Sequence, residues 1–110
     1  MSEIIATTTL DCVNSLGERN QVIVEIGRPY RAPGGEWACP VAMRGLHNTL
    51  PDVRGQDSLQ ALCLAASLVR MLLTGFVEGG GNIFFLNSES EYDLESTFSH
   101  VGSGSSGGPG

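Results

Sequence analysis

The sequence predicts an α+β domain: an antiparallel sheet of about four strands, in the order β-β-β-α-β, with one long helix packed on it. Two patterns carry this expectation. Gln21 to Gly27 sets Val22, Val24 and Ile26 against Ile23 and Glu25, the period of two that marks a half-buried strand. Ser58 to Thr74 is almost wholly apolar behind a helix-start signal. The length of 110 residues suits one core and leaves no room for a second. Residues 1–101 are therefore read as one domain, and 102–110, built only of Gly, Ser and Pro, as a flexible tail.

Along the chain, Glu3 to Val13 is rich in Ile and Thr and reads as a strand, with Ile4, Ala6, Thr8, Leu10 and Cys12 on one face. Asn14 to Asn20 supplies a hairpin loop to the second strand. Arg28 to Glu36, with two prolines and two consecutive glycines, reads as a loop. Trp37 to Leu46 resumes a strand pattern with Trp37, Cys39, Val41 and Met43 on one side. Pro40 inside it cannot donate to a ladder and pushes it towards an edge or a bulge. His47 to Arg54 reads as an irregular link.

In the helix, Asp57 can cap the first amides, and Gln60, three residues on, can return the contact. The expected span is Ser58 to Thr74, with Gly75 in the left-handed position that ends it. Leu62, Ala65, Ala66, Val69, Leu72 and Leu73 form the sheet-facing side. Ala61, Leu64, Leu68 and Met71 form a second apolar flank that one sheet would not cover, which points to a homodimer or a partner seated on Leu64, Leu68 and Met71. Phe76 to Gly81 reads as a turn, and Asn82 to Asn87 as a strand buried on both faces. Ser88 to Phe98 fits a short helix or an edge strand equally well.

Charge is scarce and uneven. Only 16% of residues are charged, lysine is absent, and the net charge is −6. Residues 1–70 hold seven acids and six arginines, whereas residues 71–110 hold five acids and no base. Such a balance argues against binding nucleic acid or an acidic membrane surface, both of which rely on clustered Lys and Arg. The N-terminus lacks a basic segment followed by a long apolar run, so no secretory signal is expected. The apolar stretch Leu59 to Leu73 reads as too short and too polar to span a membrane. Three widely spaced cysteines argue against a disulfide framework and for the cytoplasm.

Two strands, a Trp-x-Cys-Pro strand, and then Gly55-Gln56-Asp57-Ser58-Leu59-Gln60-Ala61-Leu62 leading a long aliphatic helix form a recognisable order. It resembles a family of small, uncharacterised bacterial proteins marked by a G-x-D-S-x-Q-A-L helix. The resemblance runs from about Ile5 to Leu86. It implies a fold and a bacterial or phage source, and supplies no catalytic residue; the acidic segment Glu89 to Glu95 lies outside it.

No set of residues assembles a known chemistry. Cys39 with His47 would be the candidate thiol and base, yet Cys39 falls on the apolar side of its strand and reads as a buried, inert thiol. Cys12, Cys39, Cys63, His47 and His100 contain no pair at zinc-ligand spacing, and no cofactor is expected. Gly79-Gly80-Gly81 precedes a strand, not a helix, so it reads as a turn and not a phosphate loop. What remains is the run Glu89, Glu91, Asp93 and Glu95 with Tyr92 and Phe98 interleaved, a pattern that suits an interface with an aromatic anchor and a charged rim. The expected function is a cytoplasmic protein-interaction module, an inhibitor or immunity-type protein in its most specific form, holding a basic protein partner through this segment. The alternative is a small-molecule-binding domain or minor enzyme with a pocket between helix and sheet, lined by Trp37, Cys39 and Arg44.

Overall fold

The computed structural model describes residues 3–47, 49–86 and 90–98; Glu89 and the tail at 102–110 lie outside them. It is an α+β fold with two antiparallel sheets and one long helix. Strand β1 (Ile4–Val13) and strand β2 (Arg19–Gly27) form a hairpin in which Leu10 faces Val22 and Cys12 faces Asn20. Asn14 shapes the turn: its side-chain oxygen accepts from the amides of Leu16 and Glu18, each at 2.9 Å, and Gly17 supplies a φ of 85°.

The strand expected over Trp37 to Leu46 is divided at Pro40. Its first part, β4 (Trp37–Cys39), lies between β3 (Tyr30–Arg31) and β6 (Val53–Gly55) in a three-stranded sheet. Its second part, β5 (Val41–Arg44), pairs with β2 at the edge of the four-stranded sheet, whose order is β5-β2-β1-β7. Pro40 has no N–H to give either ladder, and its carbonyl accepts from Gly27 at 2.8 Å, so the chain turns a corner there and changes sheets. The small sheet was not expected: β3 falls in the segment read as a loop, and β6 falls largely in the segment read as an irregular link. Tyr30 fastens it by donating its hydroxyl to Asp52 at 2.5 Å.

Helix α1 spans Ser58–Glu78, four residues beyond the expected end at Thr74, and so takes up part of the turn expected over Phe76 to Gly81. Gly75 stays inside the helix, and the left-handed position falls to Gly80, at φ 103°. The amides of Gly80 and Gly81 return to the carbonyls of Val77 and Phe76, a Schellman closure. Gly81 follows as glycine because a Cβ there would stand 2.4 Å from the Phe76 ring.

The buried stripe of α1 is Ala61, Ala65, Val69 and Leu73. Ala61 therefore belongs to the core and not to the outer flank, while Leu62, Leu68 and Leu72 are half-buried beside it. The stripe packs on β4 and β6 and on the Leu10, Cys12, Val22, Val24, Met43 and Ile83 face of the large sheet. Strand β7 (Asn82–Phe85) joins β1 and buries only Ile83; Phe85 is 47% exposed, so this strand is not covered on both faces. After it, residues 90–92 run back along β7's outer edge, with the Phe85 amide donating to Ser90 at 3.1 Å and the Tyr92 amide to Ile83 at 2.8 Å. Helix α2 (Leu94–Phe98) then turns onto α1. Of the segment expected over Ser88 to Phe98, Ser88 and Glu89 lie outside the described residues; the rest makes one isolated bridge, Phe84 with Glu91, and then the short helix.

Candidate functional site

Gly55 to Leu62 is the most patterned stretch of the chain, and the structure assigns each key residue to packing or capping. Asp57 is the N-cap and accepts from the Gln60 amide at 2.7 Å, while the Gln60 side chain accepts from the Gln56 amide at 2.6 Å. A Cβ on Gly55 would lie 2.6 Å from the Ala61 amide nitrogen, so only glycine lets β6 meet the first turn of α1. Ala61 is fully buried at that contact.

Two of the three thiols are enclosed by the fold. Cys39 is fully buried, donates towards the Gly27 carbonyl at 3.3 Å, and has its pKa raised by burial and then by Asp52. Burial, followed by the neighbouring Asp11 carboxylate, pushes Cys12 up to about 11. Burial and a raised pKa both disfavour the thiolate of Cys39, the form in which a thiol acts as a nucleophile. Trp37, Cys39 and Arg44 do not converge on one pocket. Arg44 pairs with Glu25 at 3.0 Å on the large sheet's face away from α1, and Cys39 is sealed in the core. Trp37 alone lines a cleft, of about 410 Å³, with Arg28, Pro29, Ser58, Leu59 and Leu62. Among the described residues no three His, Cys, Asp or Glu side chains stand together as a metal site.

Two surfaces remain. The first is the acidic strip. Glu91 and Glu95 are exposed, and among the described residues neither makes an ion pair. Asp93 accepts from the Ser96 amide at 3.1 Å and so starts α2. Tyr92 is half-buried against the core with its ring edge-on to Phe85 at 5.2 Å, which makes it an internal anchor for the strip. The second surface is the outward side of α1, where Leu64 is 43% and Met71 60% exposed and Leu68 is half-buried.

The family model for a domain of unknown function, DUF6968, matches residues 6–96. The chain belongs to that family. No curated protein and no solved structure matches it. The family match runs past Leu86, where the sequence resemblance was expected to stop, and takes in Glu91, Tyr92, Asp93 and Glu95. The strip is therefore part of the family domain, in keeping with its bonding to β7.

Two features escaped the sequence. Arg28, Pro29 and Leu59 join Trp37 in one cleft only because β3, β4 and β6 form a sheet too short to leave a periodic signal. Helix α1 was also underestimated: at 21 residues it is long and apolar enough, by length and composition, to cross a bilayer. One stripe of it, Ala61, Ala65, Val69 and Leu73, is buried against both sheets.

Proposed function

We propose that this chain is a small protein-interaction module of the cytoplasm that receives a basic protein partner on the acidic strip, in the manner of an inhibitor or immunity-type protein. The observation that carries this reading is how the arginines are used. Arg19, Arg28, Arg44 and Arg54 are paired with Asp11, Glu3, Glu25 and Glu36. Arg31 stacks over Trp37 at 5.9 Å, and Arg70 donates to the Phe98 carbonyl at 3.3 Å. All six cations are engaged within the fold, so the excess charge is carried by carboxylates such as Glu91 and Glu95. Backbone bonds to β7 and the seating of Tyr92, Leu94 and Phe98 against the core hold these groups in place. A partner would meet a preorganised surface whose field steers cations towards it. Three free thiols support a reducing compartment.

The double variant Glu91→Lys/Glu95→Lys tests this. A partner retained from native lysate by the wild-type chain should be lost or weakened by about tenfold, and raised salt should weaken the wild-type complex in the same way. Retention of the same partner by the charge-reversed chain would refute the reading.

The cleft beside Trp37 supports a second reading, a small-molecule site, because its volume of about 410 Å³ falls in the range of ligand pockets. Trp37 is the chain's one tryptophan, so a bound ligand should shift its emission, and Leu59→Asp should abolish that shift. A metabolite panel that leaves the emission unchanged would set this reading aside.

A further inference from the structure

We infer that the outward apolar stripe of α1 is the contact between two copies of this chain, packed helix against helix in antiparallel sense about a two-fold axis between Val69 and Arg70. This contact is separate from the acidic strip and stands or falls independently of it.

Four observations point to a second copy. Leu64, Leu68, Met71 and Gly75 follow one another at spacings of four, three and four, which at 3.6 residues per turn keeps them within about 60° of arc. The spacing reads the same in both directions. A two-fold axis at its midpoint therefore sets Leu64 over the partner's Gly75, and Leu68 over the partner's Met71. Bulk meets absence of bulk at the first pair, and two large apolar side chains meet at the second.

Gly75 has no account within one copy. It lies inside α1 at an exposed position, and a Cβ built on it has nothing within 4 Å. Glycine there weakens the helix relative to alanine and gains no internal packing. A close-approaching neighbour is what a glycine at this place accommodates.

Charge selects the occupant. With a net charge of −6, two copies repel unless they meet on a face free of acids, and α1 carries none from Ser58 to Val77. Its one cation in that span, Arg70, stands about 160° round the helix from Leu68 and is held by the Phe98 carbonyl. A basic partner finds no carboxylate on the stripe to recognise. A copy of the same stripe finds matching shape and no like charge.

The test is sedimentation equilibrium on the full chain from about 5 to 500 µM, with the mass expected to double across that range. Met71→Glu, at the most exposed position of the stripe, should hold the chain monomeric with an unchanged circular-dichroism spectrum. Gly75→Ala discriminates further. It should leave the melting temperature of the dilute chain equal or higher while weakening self-association by about tenfold or more, a split that a purely internal role would not produce. Leu64→Cys/Gly75→Cys in a Cys63→Ser background should oxidise to a covalent dimer far faster than either single cysteine variant. Eleven residues of helix hold the two thiols about 16 Å apart within one chain, beyond disulfide reach. A chain monomeric throughout the range, a self-association indifferent to both Met71→Glu and Gly75→Ala, or a monomer that instead floats with neutral phosphatidylcholine vesicles would each overturn the inference.

Discussion

Gly55 shows how tightly a single hydrogen atom in place of a methyl can determine a contact. The strand β6 backbone lies against the Ala61 amide, and a Cβ at Gly55 would reach to 2.6 Å of it. Gly55→Ala should therefore cost about 2–3 kcal/mol in urea unfolding, the range of overpacking in a closed site. Asp57→Ala, which loses the 2.7 Å cap to Gln60, should cost about 1 kcal/mol. A result in which Gly55→Ala is as mild as a surface change would mean that β6 can retreat from α1. The cysteines give a residue-scale check of another kind. Cys12 and Cys39 are buried and Cys63 is exposed, so a thiol reagent at neutral pH should modify one group rapidly and the other two only on unfolding.

At the scale of elements, two glycines five residues apart carry opposite predictions. Gly80 sits at φ 103°, where any side chain is strained, so Gly80→Ala should destabilise the chain by about 1–2 kcal/mol. Gly75→Ala in the dilute chain should do the reverse, by up to about 1 kcal/mol, as read by thermal melting. In the sequence Gly75, the first glycine after the long apolar run, is the more obvious stop, whereas Gly80 stands in the middle of three glycines. The end of α1 was for that reason misplaced at Gly75, whereas its start was legible because Asp57 and Gln60 have side chains whose bonding can be read from spacing. Strands β1 and β2 were legible in the same way, through alternation over nine or ten residues. Strands β3, β4 and β6 have two or three residues each, too few for a period to show. Pro40 was recognised as a break in a ladder, but not as the corner at which the chain passes from one sheet to the other. Of the candidate surfaces, the acidic residues and Leu64, Leu68 and Met71 were visible as composition and spacing. That Tyr92 faces inward was not, because its burial depends on residues 90–92 docking along β7.

For the whole molecule, the groups with displaced ionisation act in one direction. Cys12 titrates near 9 when exposed and near 11 in the fold, and burial displaces Cys39 upward as well. Tyr30 is raised too, chiefly because its hydroxyl donates to Asp52. Each raised group favours the protonated, folded form. The contribution of Cys12 is fully present below about pH 9 and is lost as pH rises through about 11. Those of Cys39 and Tyr30 are lost in the same direction at alkaline pH. The urea midpoint should therefore fall steeply between about pH 9 and 11. Cys12→Ser should flatten part of that fall, and an alkaline profile unchanged by the substitution would show that Cys12 does not control it.

The strand order β5-β2-β1-β7 also sets a timetable. The hairpin of β1 and β2 is local and can close on the microsecond scale once its residues are available. The other side of β1 waits for β7, whose Phe85 pairs with Leu10 about 75 positions away, the costliest loop closure in the fold. During synthesis the strand at the sheet's centre is thus among the first made, and its second neighbour is among the last. Until Ile83 arrives, Leu10 and Cys12 line an open margin of the growing sheet.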